Sequence, residues 1–299
     1  MSNPCSLCPR KCLVDRSAAK GRCGADADME VSKIMLHIWE EPPISGHDKE
    51  RGSGALFFTH CSLGCIYCQN GKISRSCACG KTYSPDELAE EMLRLEKAGA
   101  YNINCVSPTH YSNQIKESVT IARERGLTVP VVWNTGGYEL PEVISDLKDT
   151  VDIFLTDFKY ASNELASLYS SAYDYPEYAR LSLKAMYDAV GKAVIGSDGM
   201  MKKGIIVRHL VLPSHKEDSI AVLRAIADTV PISDIFLSLM AQYTPDFLPP
   251  ETPCDRYKSI RRKITTYEYE KVADEAARLG FDGFMQERSS ATSRFTPDF

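Results

Sequence analysis

No uninterrupted apolar run in this sequence approaches the roughly 20 residues that a membrane-spanning helix needs. The opening, Met1-Ser-Asn-Pro, also lacks the basic n-region and apolar h-region of a secretory signal. These absences argue against a membrane partner and set the expectation of a cytoplasmic protein. There is no surplus of positive charge either: 35 Lys and Arg stand against 40 Asp and Glu, a net charge of -5, so no nucleic-acid partner is expected. Cysteine is plentiful, but the even, dispersed set of a disulfide framework is missing. The eleven cysteines are an odd number clustered in C-x2-C and C-x3-C spacings, which reads as metal ligation in a reducing compartment.

What is present is a globular composition. The 299 residues, 43% hydrophobic and 25% charged, suffice for one large domain with an appendage. From Ala55 onward, short apolar runs alternate with helical patterns, the signature of βα units around a parallel sheet. Strands are expected at 55–59, 101–106, 129–133, 152–156, 205–212, 235–240 and 283–286. Ser84-Pro85-Asp86-Glu87 supplies an N-cap, a first-position proline and a capping-box glutamate, with Leu88, Met92 and Leu95 on one face and Gly99 at the end. Ser214-His215-Lys216-Glu217 repeats the box ahead of Ile220, Leu223 and Ala227. Strands covered on both faces should be apolar throughout, as Val129-Pro-Val-Val-Trp133 is. About six such units suit an incomplete barrel better than a flat doubly wound sheet, although composition does not separate the two.

The first fifty residues stand outside this alternation and have little apolar periodicity. They carry Cys5, Cys8, Cys12 and Cys23 in the spacing C-x2-C-x3-C-x10-C, a second metal site whose ion would supply stability that burial cannot. Zinc and an iron–sulfur cluster both accept four cysteines, and a fold-holding role stands level with an electron-relay role.

Cys61-Ser-Leu-Gly-Cys65-Ile-Tyr-Cys68 follows the first of the expected strands. Three closely spaced thiolates can hold three irons of a 4Fe-4S cluster and leave the fourth open for chemistry. A zinc knuckle completed by a distant ligand is the plainer alternative. In a parallel barrel the working groups gather where strands end. Asp157 and Lys159 close one strand and, two residues apart, face the same way. Asn134-Thr135-Gly136-Gly137 closes another, and its glycines permit close backbone approach. Arg208 lies within an apolar run and needs an anion there, whereas its neighbour His209 points to the opposite face as a packing residue. Gln242 and Tyr243 open a proline-rich segment over the barrel mouth. Cys105 reads as a small core residue and Cys254 as an exposed bystander; Cys77 and Cys79 stay open between extra ligands and a turn.

The C-x3-C-x2-C spacing, with Tyr67 before its last cysteine, resembles the radical S-adenosylmethionine (SAM) superfamily. Within it, the ordered segments CPRKC, GSGALFFTHCSLGCIYCQN, NINCVSPTHY, NTGGYE, DIFLTDFKY, IIVRHLVLP and LMAQYTP are similar to proteins related to pyruvate formate-lyase-activating enzyme. The resemblance implies an α/β fold, a partial (β/α)6 TIM-type barrel over 51–286, with a cysteine-rich metal-binding extension at 1–50 and a tail at 287–299. It also implies Cys61, Cys65 and Cys68 on a 4Fe-4S cluster, and SAM held by its amino and carboxylate groups on the open iron. An electron from a low-potential donor such as flavodoxin or ferredoxin would then yield a 5'-deoxyadenosyl radical acting on a protein, peptide or small-molecule substrate. Asn134, Thr135, Asp157 and Lys159 match positions around the SAM methionine carboxylate, and Arg208 matches a cofactor-side arginine. Asn134 replaces an acid of the activase pattern and brings no charge. Ser107-Pro108-Thr109-His110-Tyr111 stands where relatives have a GGEP-like run, making Pro108, Thr109 and His110, with Tyr67 and Gln242, candidate cofactor contacts. The competing class is a nonenzymatic iron–sulfur or zinc protein, a carrier or scaffold, which demands four ligands at the Cys61 site and no affinity for SAM.

Overall fold

The computed structural model describes residues 4–48, 50–75, 80–286 and 297. Among them run ten strands: β1 Glu30–His37, β2 Gly52–Phe58, β3 Lys81–Thr82, β4 Ala100–Val106, β5 Val131–Thr135, β6 Ile153–Asp157, β7 Val194–Ile195, β8 Met201–Leu210, β9 Phe236–Met240 and β10 Gly283–Met285. The seven runs expected from apolar patterning all form, as β2, β4, β5, β6, β8, β9 and β10, and neighbours among them pair in parallel in the order β10-β9-β8-β6-β5-β4-β2. β1 extends the sheet antiparallel to β2, β3 pairs antiparallel with β1, and β7 with β8. The result is a mixed α/β fold with a mostly parallel sheet that does not close on itself: β10 and β3 end the strand order.

Both faces of the sheet are covered, and for that reason β2 and β5 are buried at every position. One face carries the large core, where Phe58, Cys105, Trp133, Phe154 and Val207 meet residues of helices Pro85–Lys97, Ser112–Glu124, Tyr175–Val190 and Lys216–Thr229. The other face carries smaller clusters, Ala55, Phe57, Ile73 and Val106 in one, and Val132, Ile153, Leu155 and Ile206 around Ile44 in another.

Ile44 comes from the stretch between β1 and β2, inside the fifty residues that patterning set apart. Those residues are not all an appendage: β1 is part of the sheet, and the helical turn Pro42–Ser45 plugs its inner face. The plug is tied down by Asn102, whose Nδ2 donates to the Ile44 carbonyl at 2.7 Å while its Oδ1 accepts from Ser53 Oγ at 2.7 Å. β1, Glu-Val-Ser-Lys-Ile-Met-Leu-His, has no strict apolar alternation to mark it as a strand, so packing against β2 decides its conformation.

The first capping box forms as written, with Glu87 N–H donating to Ser84 Oγ at 3.3 Å and Ser84 N–H to Glu87 Oε2 at 2.9 Å; Gly99 follows the helix at φ 98°. The second does not form. Ser214 turns left-handed at φ 69°, its N–H donates to Glu268 Oε1 at 2.7 Å, and Glu217 pairs with Lys216 instead. Glu268, fixed by Arg262 and by its own capping box with Thr265, is a stronger charged acceptor than the local one.

Candidate active site

β2 delivers the chain to Cys61 through His60, a non-glycine residue at φ 69° whose N–H donates to the Ile73 carbonyl at 2.7 Å. The loop then folds on itself, Cys68 N–H to Cys65 O at 3.3 Å, and is tied to a second segment by Gly64 N–H to Ser170 O and Ile66 N–H to Tyr169 O. Cys61, Cys65 and Cys68 line one cavity with Asn134, Thr135, Asp157, Lys159, Arg208 and Gln242, all at or just beyond the C-terminal ends of parallel strands.

Each of these sulfurs has a hydrogen-bond partner. Cys61 accepts from the Leu63 N–H, Cys65 lies 2.9 Å from Ser170 Oγ, and Cys68 accepts from Ser74 Oγ at 3.4 Å. Burial pushes the Cys61 and Cys65 thiols well up, with Lys159 opposing it at Cys65, so ionising them calls for a metal's positive charge. Three thiols lining one cavity are a donor set that fits a multi-iron cluster, each sulfur taking its own iron. Tyr67 extends the arrangement: its hydroxyl bonds that of Tyr160, which lies 2.8 Å from Ser170 Oγ, forming a chain that ends on Cys65. Hydrogen bonds to cluster sulfurs are a lever on reduction potential.

The same cavity holds a buried charge network. Asp157 and Arg208 are register partners on β6 and β8, so their side chains share a face, and Arg208 Nε donates to Asp157 Oδ1 at 2.9 Å. Lys159 pairs with the other Asp157 oxygen, as two-residue spacing on an extended chain implies. Burial alone would raise the Asp157 carboxyl, but Arg208 and Lys159 outweigh it and hold it below the usual carboxylate range. Asn134 accepts from Arg208 Nη2 at 2.6 Å and donates to Glu40 Oε1 at 3.1 Å. An aspartate could not make that second bond, and a carboxyl beside Arg208 is supplied instead by Glu40, which receives Arg208 Nη1 at 3.2 Å and Asn104 Nδ2 at 3.1 Å. Burial pushes Glu40 and its neighbour Glu41 upward while Arg208 opposes it. Glu40 escaped the sequence reading because it lies 168 residues from Arg208, in the link between β1 and the plug. The one signal was a pair of acids between a strand and a double proline.

Gly137 shows why a glycine pair follows β5: at φ +76° a Cβ there would fall 2.1 Å from the Asp157 carbonyl oxygen. Behind it lies Glu139, fully buried, accepting from Thr109 Oγ1 at 2.6 Å and from Thr135 Oγ1. Burial lifts its carboxyl to about 7, against the donors Thr109, Thr135 and Trp133. A raised carboxyl stabilises the fold fully below its ordinary value of 4.5 and loses that contribution as pH rises through 7, a change of about 3 kcal/mol. Glu139→Gln should therefore flatten the pH dependence, gaining on the wild type between pH 4.5 and 8 in urea denaturation; parallel curves for the two proteins would show that Glu139 does not titrate there.

Other expected contacts go elsewhere. Pro108, Thr109 and His110 do not line the cavity: Thr109 turns to Glu139, and His110, 2% exposed and pushed down to about 3 by burial, bonds the Thr59 carbonyl at 2.7 Å. The chain turns away one residue earlier, at Ser107, whose φ of 58° directs the backbone into the short helix Thr109–Tyr111. Val106 and Ser107 therefore occupy the wall that the GGEP-like position would supply. Gln242 lines the cavity and accepts from Gln286 Nε2 at 3.2 Å; Tyr243, Thr244 and Phe247 of the proline-rich stretch close its rim. His209 packs as expected, its Nδ1 2.7 Å from the Phe158 carbonyl. Cys105 is in the core, Cys254 is exposed, and Cys77 and Cys79 lie outside the described residues, as does the 287–299 tail apart from Pro297.

A cysteine-lined cavity lies at the strand ends of an open parallel sheet, and residues 56–200 of the sequence match the model of the radical SAM superfamily. Among relatives, the chain is 27% identical over 289 residues to an uncharacterized protein of Methanocaldococcus jannaschii, covering 93% of this chain and 75% of that one. A radical SAM methyltransferase from Sphaerobacter thermophilus superposes with a TM-score of 0.53 at 11% identity over 79% of this chain, a likeness of fold; the chain spans 65% of that structure's length. SuiB from Streptococcus suis, solved with S-adenosylmethionine bound, superposes at a TM-score of 0.45 and 12% identity, over 76% of this chain and 45% of that one.

Proposed function

We propose that this protein is an activase-like radical SAM enzyme whose Cys61, Cys65 and Cys68 hold a 4Fe-4S cluster with one iron left for SAM. The observation that carries the reading is the shared cavity, lined by the three thiols and by the Lys159–Asp157–Arg208 network. A cluster held by these cysteines would supply the electron for reductive cleavage of SAM to methionine and a 5'-deoxyadenosyl radical, the chemistry that would abstract hydrogen from a substrate C–H bond. The chain's own residues bind and orient. Lys159 faces the methionine carboxylate with Thr135 in the same cavity wall, Asn134 and Arg208 hold Asp157 and Glu40 in place, and the Val106–Ser107 backbone faces the amino group. Tyr67 and Leu63 exclude water beside the thiols. In this reading the parallel strands are the wall of a partial (β/α)6 barrel, its mouth rimmed by Tyr243, Thr244 and Phe247, where a protein, peptide or small molecule enters. A low-potential flavodoxin or ferredoxin supplies electrons, and reduced thiols with an oxygen-labile cluster suit the cytoplasm.

The test is a titration of SAM into anaerobically reconstituted protein, followed by electron paramagnetic resonance of the reduced cluster. The spectrum should change with SAM, and dithionite should release 5'-deoxyadenosine. A spectrum indifferent to SAM assigns the chain to the carrier or scaffold class instead.

A further inference from the structure

The turn that holds Cys5, Cys8 and Cys12 is built against its own backbone preferences. Leu13 N–H donates to Cys5 O at 3.1 Å, Cys5 N–H to Val14 O at 2.9 Å and Lys11 N–H to Cys8 O at 3.0 Å, which folds the chain back so that Cys12 returns toward Cys5. Lys11 at φ 41° and Leu13 at φ 53° flank Cys12 in the left-handed region that non-glycine residues avoid. Burial does not compensate: between residues 4 and 28 only Cys8, Pro9 and Ala25 are buried, and Leu13 is 61% exposed.

Arg10 and Arg16 tie the segment to the carbonyls of Ser62, Ser170, Ser171 and His110, and within the turn itself the sulfurs point to a further tie. Gly21 closes on two of them, for a Cβ there would lie 3.2 Å from Cys12 Sγ and 3.7 Å from Cys23 Sγ. Cys8 accepts from the Arg10 N–H and Cys23 from the Ala25 N–H, the same two-residue reach by which Leu63 N–H serves Cys61.

The same turn reaches the catalytic loop. Arg10, between Cys8 and Cys12, donates from Nε to the Ser62 carbonyl at 3.0 Å, from Nη1 to Ser171 O at 2.6 Å and from Nη2 to Ser170 O at 3.4 Å, with its guanidinium 5.1 Å from the Tyr138 ring centroid. Ser62 follows Cys61, and Ser170 is the residue whose hydroxyl meets Cys65. Cys23 and Cys61 line one cavity, with Arg10 in its wall.

We infer that Cys5, Cys8, Cys12 and Cys23 form a second, thiolate-bound metal centre, zinc or iron–sulfur, and that the turn it stabilises carries Arg10 as the strut positioning the Cys61–Cys68 loop. The metal centre stands independently of the proposed function; the strut's role rests on it. The centre is tested in the Cys61→Ser/Cys65→Ser/Cys68→Ser variant, purified anaerobically, by metal and acid-labile sulfide analysis. Zinc without sulfide assigns a zinc centre, iron with sulfide a cluster, and no stoichiometric metal overturns the inference while leaving the SAM reading untouched. Should that variant fail to fold, thiol alkylation of the wild type decides: half-buried Cys5, Cys12 and Cys23 should label several-fold more slowly before chelation than after it, with exposed Cys254 unchanged, and equal rates overturn the centre. The strut is tested with Arg10→Ala, which should keep the N-terminal metal yet release iron from the Cys61 site to a chelator several-fold faster. Wild-type release would remove Arg10 from that role.

Discussion

Cys65→Ser is expected to abolish 5'-deoxyadenosine formation and to strip the cluster of one of its three ligands. The loss should exceed the roughly 10–100-fold that results when only a ligand's hydrogen-bond partner is changed. The same protein offers that comparison: Ser170→Ala keeps the Cys65 sulfur and removes the hydroxyl 2.9 Å from it, so its loss should be of the smaller order. The pair is read by iron content and single-turnover product after anaerobic reconstitution. Equal, mild losses in the two variants would mean that Cys65 is not a ligand, and the proposed chemistry would fall with it.

The second large effect is expected at Asp157, whose carboxylate is shared by Arg208 and Lys159 in a region where all three side chains are under 20% exposed. Asp157→Asn leaves two buried cations with the Glu40 and Glu41 carboxyls near Arg208, and removing one partner of a buried ion pair costs about 3–5 kcal/mol. The pH dependence has a definite sign. Because the folded Asp157 is held below its ordinary value of 3.8, its contribution is complete above that value and is lost as pH falls through the lower folded one. Wild type should thus exceed Asp157→Asn in urea denaturation at pH 7 and lose that advantage on strong acidification. The variant should also bind SAM more weakly, because Lys159 loses the partner that fixes its direction. A stability cost at pH 7 under about 1 kcal/mol would show that the network tolerates an uncompensated pair of cations.

The two variants fall on opposite sides of what the linear sequence reveals. The cysteines were legible because all three sit in one loop, where ligand spacing is a local property. Asp157 and Lys159 were legible because strand periodicity puts them on one side. Asn134 was singled out by polarity at a strand end and Arg208 as a guanidinium within an apolar run, but the reason for an uncharged Asn134 was not legible, since its role is to donate to Glu40 and accept from Arg208 at once. Pro108, Thr109 and His110 misled because motif position along the chain says nothing about the single left-handed residue, Ser107, that turns them away from the cavity. The Ser214 box failed for a related reason: a correct local pattern was outcompeted by Glu268, 54 residues distant in sequence.

From the amino-acid order alone came the parallel strands, because strands covered on two faces must be apolar throughout, and the thiol triad, because its geometry is contained in a single short loop. The folded chain alone decided that the sheet stays open, that β1 and the Pro42–Ser45 turn belong to it, and that Glu40, Glu139 and Arg10 touch the residues they serve. Those contacts join segments far apart in sequence, and burial energy is what brings them together. It depends on the summed shape of the core, so no spacing between residues encodes it.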